Sequence, residues 1–209
     1  MKGRFFVIDG VGGAGKSTQI ELLRQVLPKA VFTKEPGGAP RAEKIREVLK
    51  SGDDKAGALS DFFLFWAARA EHMTRLIAPA HSKGRVVISD RFDSSTFAMQ
   101  VRGDKQKSLE KLFWQCREAT LGKFIPDVYI ILDAPTSLAR ERRNKRLNRN
   151  GIEKYDDRFD ERDDAYQSRI RAGYKEFAKL LGAKAHVLDA RKDIIETHQA
   201  ILKILRKYL

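Results

Sequence analysis

The chain predicts a three-layer α/β fold, a five-stranded parallel sheet flanked by helices, with residues 1–209 forming one domain. Three observations predict it. Short apolar runs rich in Val, Ile and Phe alternate with longer segments of helical period along the whole chain. A glycine-rich turn joins the first apolar run to the first helical segment. The length of 209 residues supports one sizeable core and would cramp two.

Residues 4–9 read as a first buried strand, and the helix after the glycine turn carries Ile20, Leu23 and Leu27 on one face. A second strand over 30–34 runs into Glu35, Pro36, Gly37 and Gly38, a forced turn. Helices are predicted over 41–50 and 59–83, and strands over 85–89, 127–132 and 185–188. The last helix places Ile194, Ile195, His198, Ile201, Leu202 and Leu205 on a core-facing side. No internal repeat, low-complexity tract or linker interrupts this order.

Apolar residues make up 42% of the chain, a globular value that argues against disorder. No run approaches the ~18 apolar residues of a membrane helix, and residues 5–8 are too short for a secretory core segment. The single cysteine, Cys116, excludes an internal disulfide and fits a reducing cytoplasm; its apolar-periodic surroundings at 109–121 predict a buried, inert thiol. The 41 basic and 28 acidic residues leave a net charge of +13, which attracts polyanions in general. The surplus is clustered. Arg140, Arg142, Arg143, Lys145, Arg146 and Arg149 are opposed only by Glu141, and no aromatic residues interleave as a single-strand stacking platform requires. The expectation is a mobile basic lid over about 140–158 that closes on nucleotide phosphates, with no stable nucleic-acid partner and no membrane contact.

Gly10, Val11, Gly12, Gly13, Ala14, Gly15, Lys16 and Ser17 match the phosphate-loop pattern G-x-x-x-x-G-K-[ST], between a predicted strand and a predicted helix. Glycines let consecutive N–H groups turn around a phosphate, and the helix start aims its dipole at the same anion. Together with Thr18 this segment is the candidate ATP site, in a P-loop NTPase-type fold. Lys16 is placed to reach the β- and γ-phosphates, and the Ser17 hydroxyl to ligate Mg²⁺. Asp90 ends an apolar strand, where a carboxylate faces the metal, and Arg91 beside it can donate a planar fork to phosphate oxygens. GTPase switches share the loop but do not fit: Asp54 and Gly57 form a D-x-x-G with no strand before it, and Asn144-Lys145 lacks the following aspartate.

Further segments in order resemble the thymidylate kinase family, bacterial type, over nearly the whole chain. They are Thr33 to Gly38, Ala42 to Arg46, Leu64 to Arg69, Asp90-Arg91-Phe92, Ser95 to Gln100, and the strand ending at Asp133. The resemblance implies phosphorylation of dTMP by ATP with Mg²⁺ as cofactor, and a homodimer. It implies that Phe65 stacks on the pyrimidine, Arg69 bonds a thymine carbonyl, and Thr96 and Gln100 complete the base contacts. Arg46 and Arg91 hold the acceptor phosphate, with Glu35 and Pro36 near it. Glycine at position 13 implies that the catalytic arginine lies in the lid, among Arg143, Arg146 and Arg149. Two departures fall near the sugar. Gly12 stands where the family has a carboxylate for the 3′-hydroxyl, and Met99 where it has a tyrosine that crowds out a 2′-hydroxyl. Weaker sugar discrimination is expected; Asp9, one strand position earlier, is expected to do a structural or metal-related job, with a substitute sugar carboxylate as the alternative. Two other readings stay open: a sister kinase acting on dUMP or a modified monophosphate, and a non-enzymatic basic P-loop protein that binds nucleotide or nucleic acid.

Overall fold

A computed structural model describes residues 3–51, 57–150, 159 and 162–209, with side chains described for all of these except 51 and 146–150. Five parallel strands form one sheet in the order β2-β3-β1-β4-β5. They are β1 (Arg4–Gly10), β2 (Val31–Lys34), β3 (Val86–Asp90), β4 (Val128–Asp133) and β5 (Ala185–Asp189). Phe5, Phe6, Val7 and Ile8 are fully buried, as expected of a central strand covered on both faces. Parallel register pairs Ile8 with Asp90 on one side and Gly10 with Leu132 on the other. The C-terminal ends of β1, β3 and β4 therefore meet where strand order reverses, the position where open α/β sheets form a ligand crevice.

The helices are α1 (Lys16–Val26), α2 (Pro40–Ser51), α3 (Ala58–His72), α4 (Ala78–Ser82), α5 (Asp93–Thr96), α6 (Leu109–Leu121), α7 (Thr136–Asn150), α8 (Asp164–Leu181) and α9 (Ile194–Leu205). The helix predicted over 59–83 is not uniform, because the chain widens into a π-helical turn at Met73–Ile77. Pro79 has no N–H to offer the Arg75 carbonyl, which favours that widening. A second π-helical segment, Phe97–Gly103, continues α5 and carries Met99 and Gln100.

Three further expectations need correction. The basic segment at 140–150 is not a loop: its Arg, Lys, Glu and Leu residues are good helix formers and continue α7. In α9 the Asp193 carboxylate caps the N–H groups of Ile195 and Glu196, leaving Ile194 and Ile195 more than half exposed in the first turn. The buried face is instead Thr197, His198, Ile201, Ile204 and Leu205. Residues 54–56 and 151–158 lie outside the described residues. Cys116 is half-buried rather than buried, and desolvation pushes its thiol up, in keeping with an inert group.

Candidate active site

The glycine loop leaves β1 and enters α1 at Gly15, whose positive φ of 98° turns the chain with no side-chain cap on the helix amides. Lys16, Ser17 and Thr18 of the first turn, whose N–H groups have no partner within the helix, line a cavity of about 630 Å³. Lys16 is mostly buried and donates from Nζ to the carbonyls of Gly10 and Val11 at 3.0 Å each. Gly13 has a second role beyond the turn. A Cβ there would lie 2.1 Å from the Ala139 carbonyl, so its absence lets α7 rest directly on the loop. One helical turn on, Arg143 Nη1 donates to Gly12 O at 2.8 Å, while Arg142 Nη1 donates to Ala190 O at 2.9 Å. Thus α7 is tied both to the phosphate loop and to the turn after β5. Side chains of Arg146 and Arg149 lie outside the described residues.

Behind the loop, Asp9 is completely buried. Its carboxylate accepts from Gly10 N, Ser94 Oγ, Ser95 Oγ, Tyr174 Oη and Arg91 Nη1 at 2.6 to 3.3 Å. Burial, reinforced by the Asp9 charge, pushes the Tyr174 phenol well above its ordinary value, so it stays protonated as a donor. Asp9 cannot serve as the substitute sugar carboxylate, because donors within the fold saturate it. Arg91 sits at φ 67°, an unfavourable region for a non-glycine residue. Its Nη1 also meets Gly10 O at 3.1 Å and Tyr174 Oη at 2.9 Å. This packing anchors one side of the guanidinium at the cavity wall.

Asp90 lines the same cavity, and its Oδ1 is buried without a partner. Desolvation pushes its carboxyl above the ordinary value, opposed by Lys16 and Arg91 and assisted by Asp9. An orphaned carboxylate oxygen beside the loop that carries Ser17 is chemically suited to a hard cation. Among the described residues no cluster of three His, Cys, Asp or Glu could hold a metal ion by itself.

On the far side, Arg46 Nη1 donates to Pro36 O at 2.6 Å, and Arg46, Pro36 and Glu35 all line the cavity. The Glu35 carboxylate does not hang free toward a phosphate or metal. Arg69 Nε bonds one oxygen at 2.8 Å, and His72 Nδ1 bonds the other at 3.0 Å. Phe65, Arg69, Thr96, Met99 and Gln100 are all at most 5% exposed and are not part of the cavity wall. Arg69 Nη2 donates to Thr96 Oγ1 at 3.1 Å, whereas Arg69 Nη1 and both ends of the Gln100 amide are buried without partners. The Phe65 ring lies 5.7 Å from that of Phe159.

Among the described residues the cavity wall includes Lys16, Lys34, Arg46, Arg91, Arg142, Arg143, Lys145 and Lys192 against only Glu35 and Asp90. Such a wall accommodates more than one anionic group. A profile of thymidylate kinases matches residues 8–201. The chain belongs to the thymidylate kinase family. The thymidylate kinase of Nitrosospira multiformis is 33% identical over 207 residues, 97% of each chain. That of Neisseria meningitidis is 34% identical over 98% of this chain and 97% of its own. The crystal structure of the thymidylate kinase from Ehrlichia chaffeensis superposes with a TM-score of 0.76 at 26% identity, covering 99% of both chains.

Within this thymidylate kinase fold, the structure brings together the phosphate loop, Asp90, Arg91, Arg46, Glu35, Pro36 and Arg143 around one cavity. Sequence reasoning missed Ser94, Ser95 and Tyr174 as partners of Asp9, the last 165 residues away in the chain. It also missed Ala190, Lys192 and Ile194, which close the cavity beside α9. No local pattern announces these contacts, although the dense basic run does flag Arg142.

Proposed function

We infer that the chain transfers the γ-phosphoryl group of ATP to thymidylate, giving ADP and thymidine diphosphate. The observation that carries this reading is a single cavity with a phosphate loop at one end and Arg46 and Arg91 at the other. Two anions held in one enclosure favour phosphate-to-phosphate transfer over hydrolysis or simple nucleotide binding. Residues 10–18 hold the triphosphate, with Lys16 on its reacting end. Arg46 and Arg91 hold the acceptor phosphate, which with a second pKa of about 6 is largely dianionic at neutral pH and needs no general base. Phe65, Arg69, Thr96 and Gln100 read the base, and Met99 sits by the sugar. The main catalytic task is to offset repulsion between two polyanions while keeping them in line.

Ser17 and Asp90 are the residues that would hold Mg²⁺, which neutralises phosphate charge when bound. Among the lid arginines with described side chains, Arg143 is placed for the transferred phosphoryl group, since its contact with Gly12 O holds it over the loop. The reading keeps residues 1–209 as one kinase domain with a basic lid over about 140–158. It also includes a homodimer, supported by the exposed Val48, Leu59 and Phe63 on α2 and α3. A cytoplasmic location fits the single cysteine and the lack, among the described residues, of a helix able to cross a membrane.

An ADP-release assay coupled to a panel of monophosphates, with ATP and Mg²⁺, tests the function. Release that depends on dTMP and is much weaker with dCMP supports it. ADP release independent of any monophosphate overturns it.

A further inference from the structure

Along the C-terminal edge of the sheet, the cavity residues follow strand order. Glu35 comes after β2, Asp90 and Arg91 after β3, the phosphate loop after β1, and Ala190, Lys192 and Ile194 after β5 at the opposite edge. The acceptor residues therefore lie to one side of the loop and the turn between β5 and α9 to the other. In-line transfer points the reacting end of the triphosphate at the acceptor, so the donor's sugar and base extend the opposite way, over the turn that opens α9. Apolar burial does not hold that turn. Ile194 and Ile195 are more than half exposed, and the first buried residue of α9 is Thr197. The Asp193 cap bonds N–H groups of the same turn, Ile195 and Glu196, and so fixes nothing relative to the loop.

Gln19, one turn into α1 and buried, supplies that tie. Its Nε2 donates to Ile194 O at 2.9 Å, and its Oε1 lies 3.2 Å from His198 Nδ1. A carbonyl can only accept, so the amide nitrogen faces Ile194 and the amide oxygen faces His198, whose Nδ1 then carries a ring proton. Both ends of the amide are committed, and a flipped amide would set two oxygens against each other at Ile194. His198 lies one turn beyond Ile194 on the buried face of α9, so Gln19 grips the first turn at its start and at its end. Gln19, Ile194 and Thr197 line the cavity, with His198 behind them. We propose that Gln19 and His198 are positioning residues for the donor nucleoside: together they lock the first turn of α9 to the phosphate-loop helix, so that Ile194 and Thr197 form a fixed wall beside the sugar and base of ATP. The proposal rests on the reading that the loop holds the triphosphate while Arg46 and Arg91 hold the acceptor phosphate.

Tripolyphosphate carries the phosphates of ATP without sugar or base, and so separates an effect on the loop from an effect on the nucleoside wall. Steady-state kinetics on the full chain, with dTMP saturating and Mg²⁺ present, compare wild type with Gln19→Met, His198→Leu and His198→Asn. Methionine keeps the length of glutamine without its amide; asparagine puts an amide N–H near Nδ1, and leucine offers none. The expected result is that Gln19→Met raises KM for ATP about tenfold, with kcat within about threefold and KM for dTMP within about twofold. The inhibition constant of tripolyphosphate against ATP stays within about twofold. His198→Leu raises KM for ATP about threefold, and His198→Asn recovers most of that loss. Thermal melting checks that the variants are folded; should Gln19→Met not fold, the Leu and Asn pair carries the test with the same readouts. An unchanged KM for ATP in Gln19→Met, a tripolyphosphate constant that rises in step with it, or equal kinetics for the two His198 variants overturns the proposal. A wild-type chain whose ADP release does not depend on dTMP would instead overturn the functional reading beneath it.

Discussion

At and behind the Glu35 wall of the cavity, Asp9, Glu35 and Arg69 are at most 5% exposed, and each is held by side chains from other elements. At the donor end, Arg142 and Arg143 reach in from α7, and each bonds a single backbone carbonyl, that of Ala190 or Gly12. The first wall is built before any substrate arrives. The second depends on how α7 rests on the loop. A rigid acceptor wall makes sense for groups that must tell one base from another, because discrimination requires polar partners that cannot relax around the wrong one. A donor wall held by few contacts can open for exchange and close to exclude water.

The largest effects fall where the two ends meet. Lys16→Ala is expected to lower kcat by about 10³-fold or more, with the melting temperature little changed. Near-normal turnover would break the idea that the phosphate loop drives transfer. Arg91→Ala follows, with a loss of kcat/KM for dTMP of about 10²-fold. Unlike Lys16→Ala, it should also destabilise the chain, since Arg91 Nη1 is woven into the Asp9 network. Calorimetry alongside kinetics separates the two variants.

Asp90→Asn sharpens the contrast between function and stability. Turnover should fall roughly 10²-fold, yet the fold should be no less stable, because the substitution removes a buried, desolvated charge whose Oδ1 accepts no hydrogen bond. The sign with pH follows from the raised carboxyl. The folded state binds this proton more tightly than the unfolded chain. The group therefore adds stability as pH falls through its raised value toward the ordinary carboxylate range, and the gain is complete below that range. Denaturant midpoints measured from neutral to acid pH should show this increment in wild type and lose it in Asp90→Asn. Smaller again is Arg142→Ala, expected to raise KM for ATP about tenfold while leaving KM for dTMP within about twofold. Equal shifts in both would erase the division between the walls. On the reading that both face the sugar, Met99 offers a flexible thioether and Gly12 no side chain. Turnover of the ribo and 3′-deoxy analogues of dTMP within about tenfold of dTMP is the expected outcome.

What was legible in the sequence divides along the range of the interactions involved. The strands carried by Phe5 to Ile8 and Val86 to Ile88 declare themselves through continuous apolar runs, and the phosphate loop through a pattern only eight residues long. Both are local. The Asp9 hub was not legible, because Ser94, Ser95 and Tyr174 come from elements 85 to 165 residues away. Nor was the occupancy of Glu35, whose partners lie on α3, 34 and 37 residues on. The basic run at 140–150 misled in another way: its charge suggested a loop, while its helix-forming residues extended α7. At the start of α9, Ile194 and Ile195 kept core spacing, but the Asp193 cap puts them in a first turn that stands out in solvent.

The central claim is that one cavity holds two phosphate groups so that one attacks the other. Phosphorus NMR of the purified chain with ATP, Mg²⁺ and dTMP reads this directly. ADP and thymidine diphosphate should grow in equal amounts, with no inorganic phosphate beyond that of ATP and Mg²⁺ alone. ADP accumulating with inorganic phosphate and without thymidine diphosphate would contradict it.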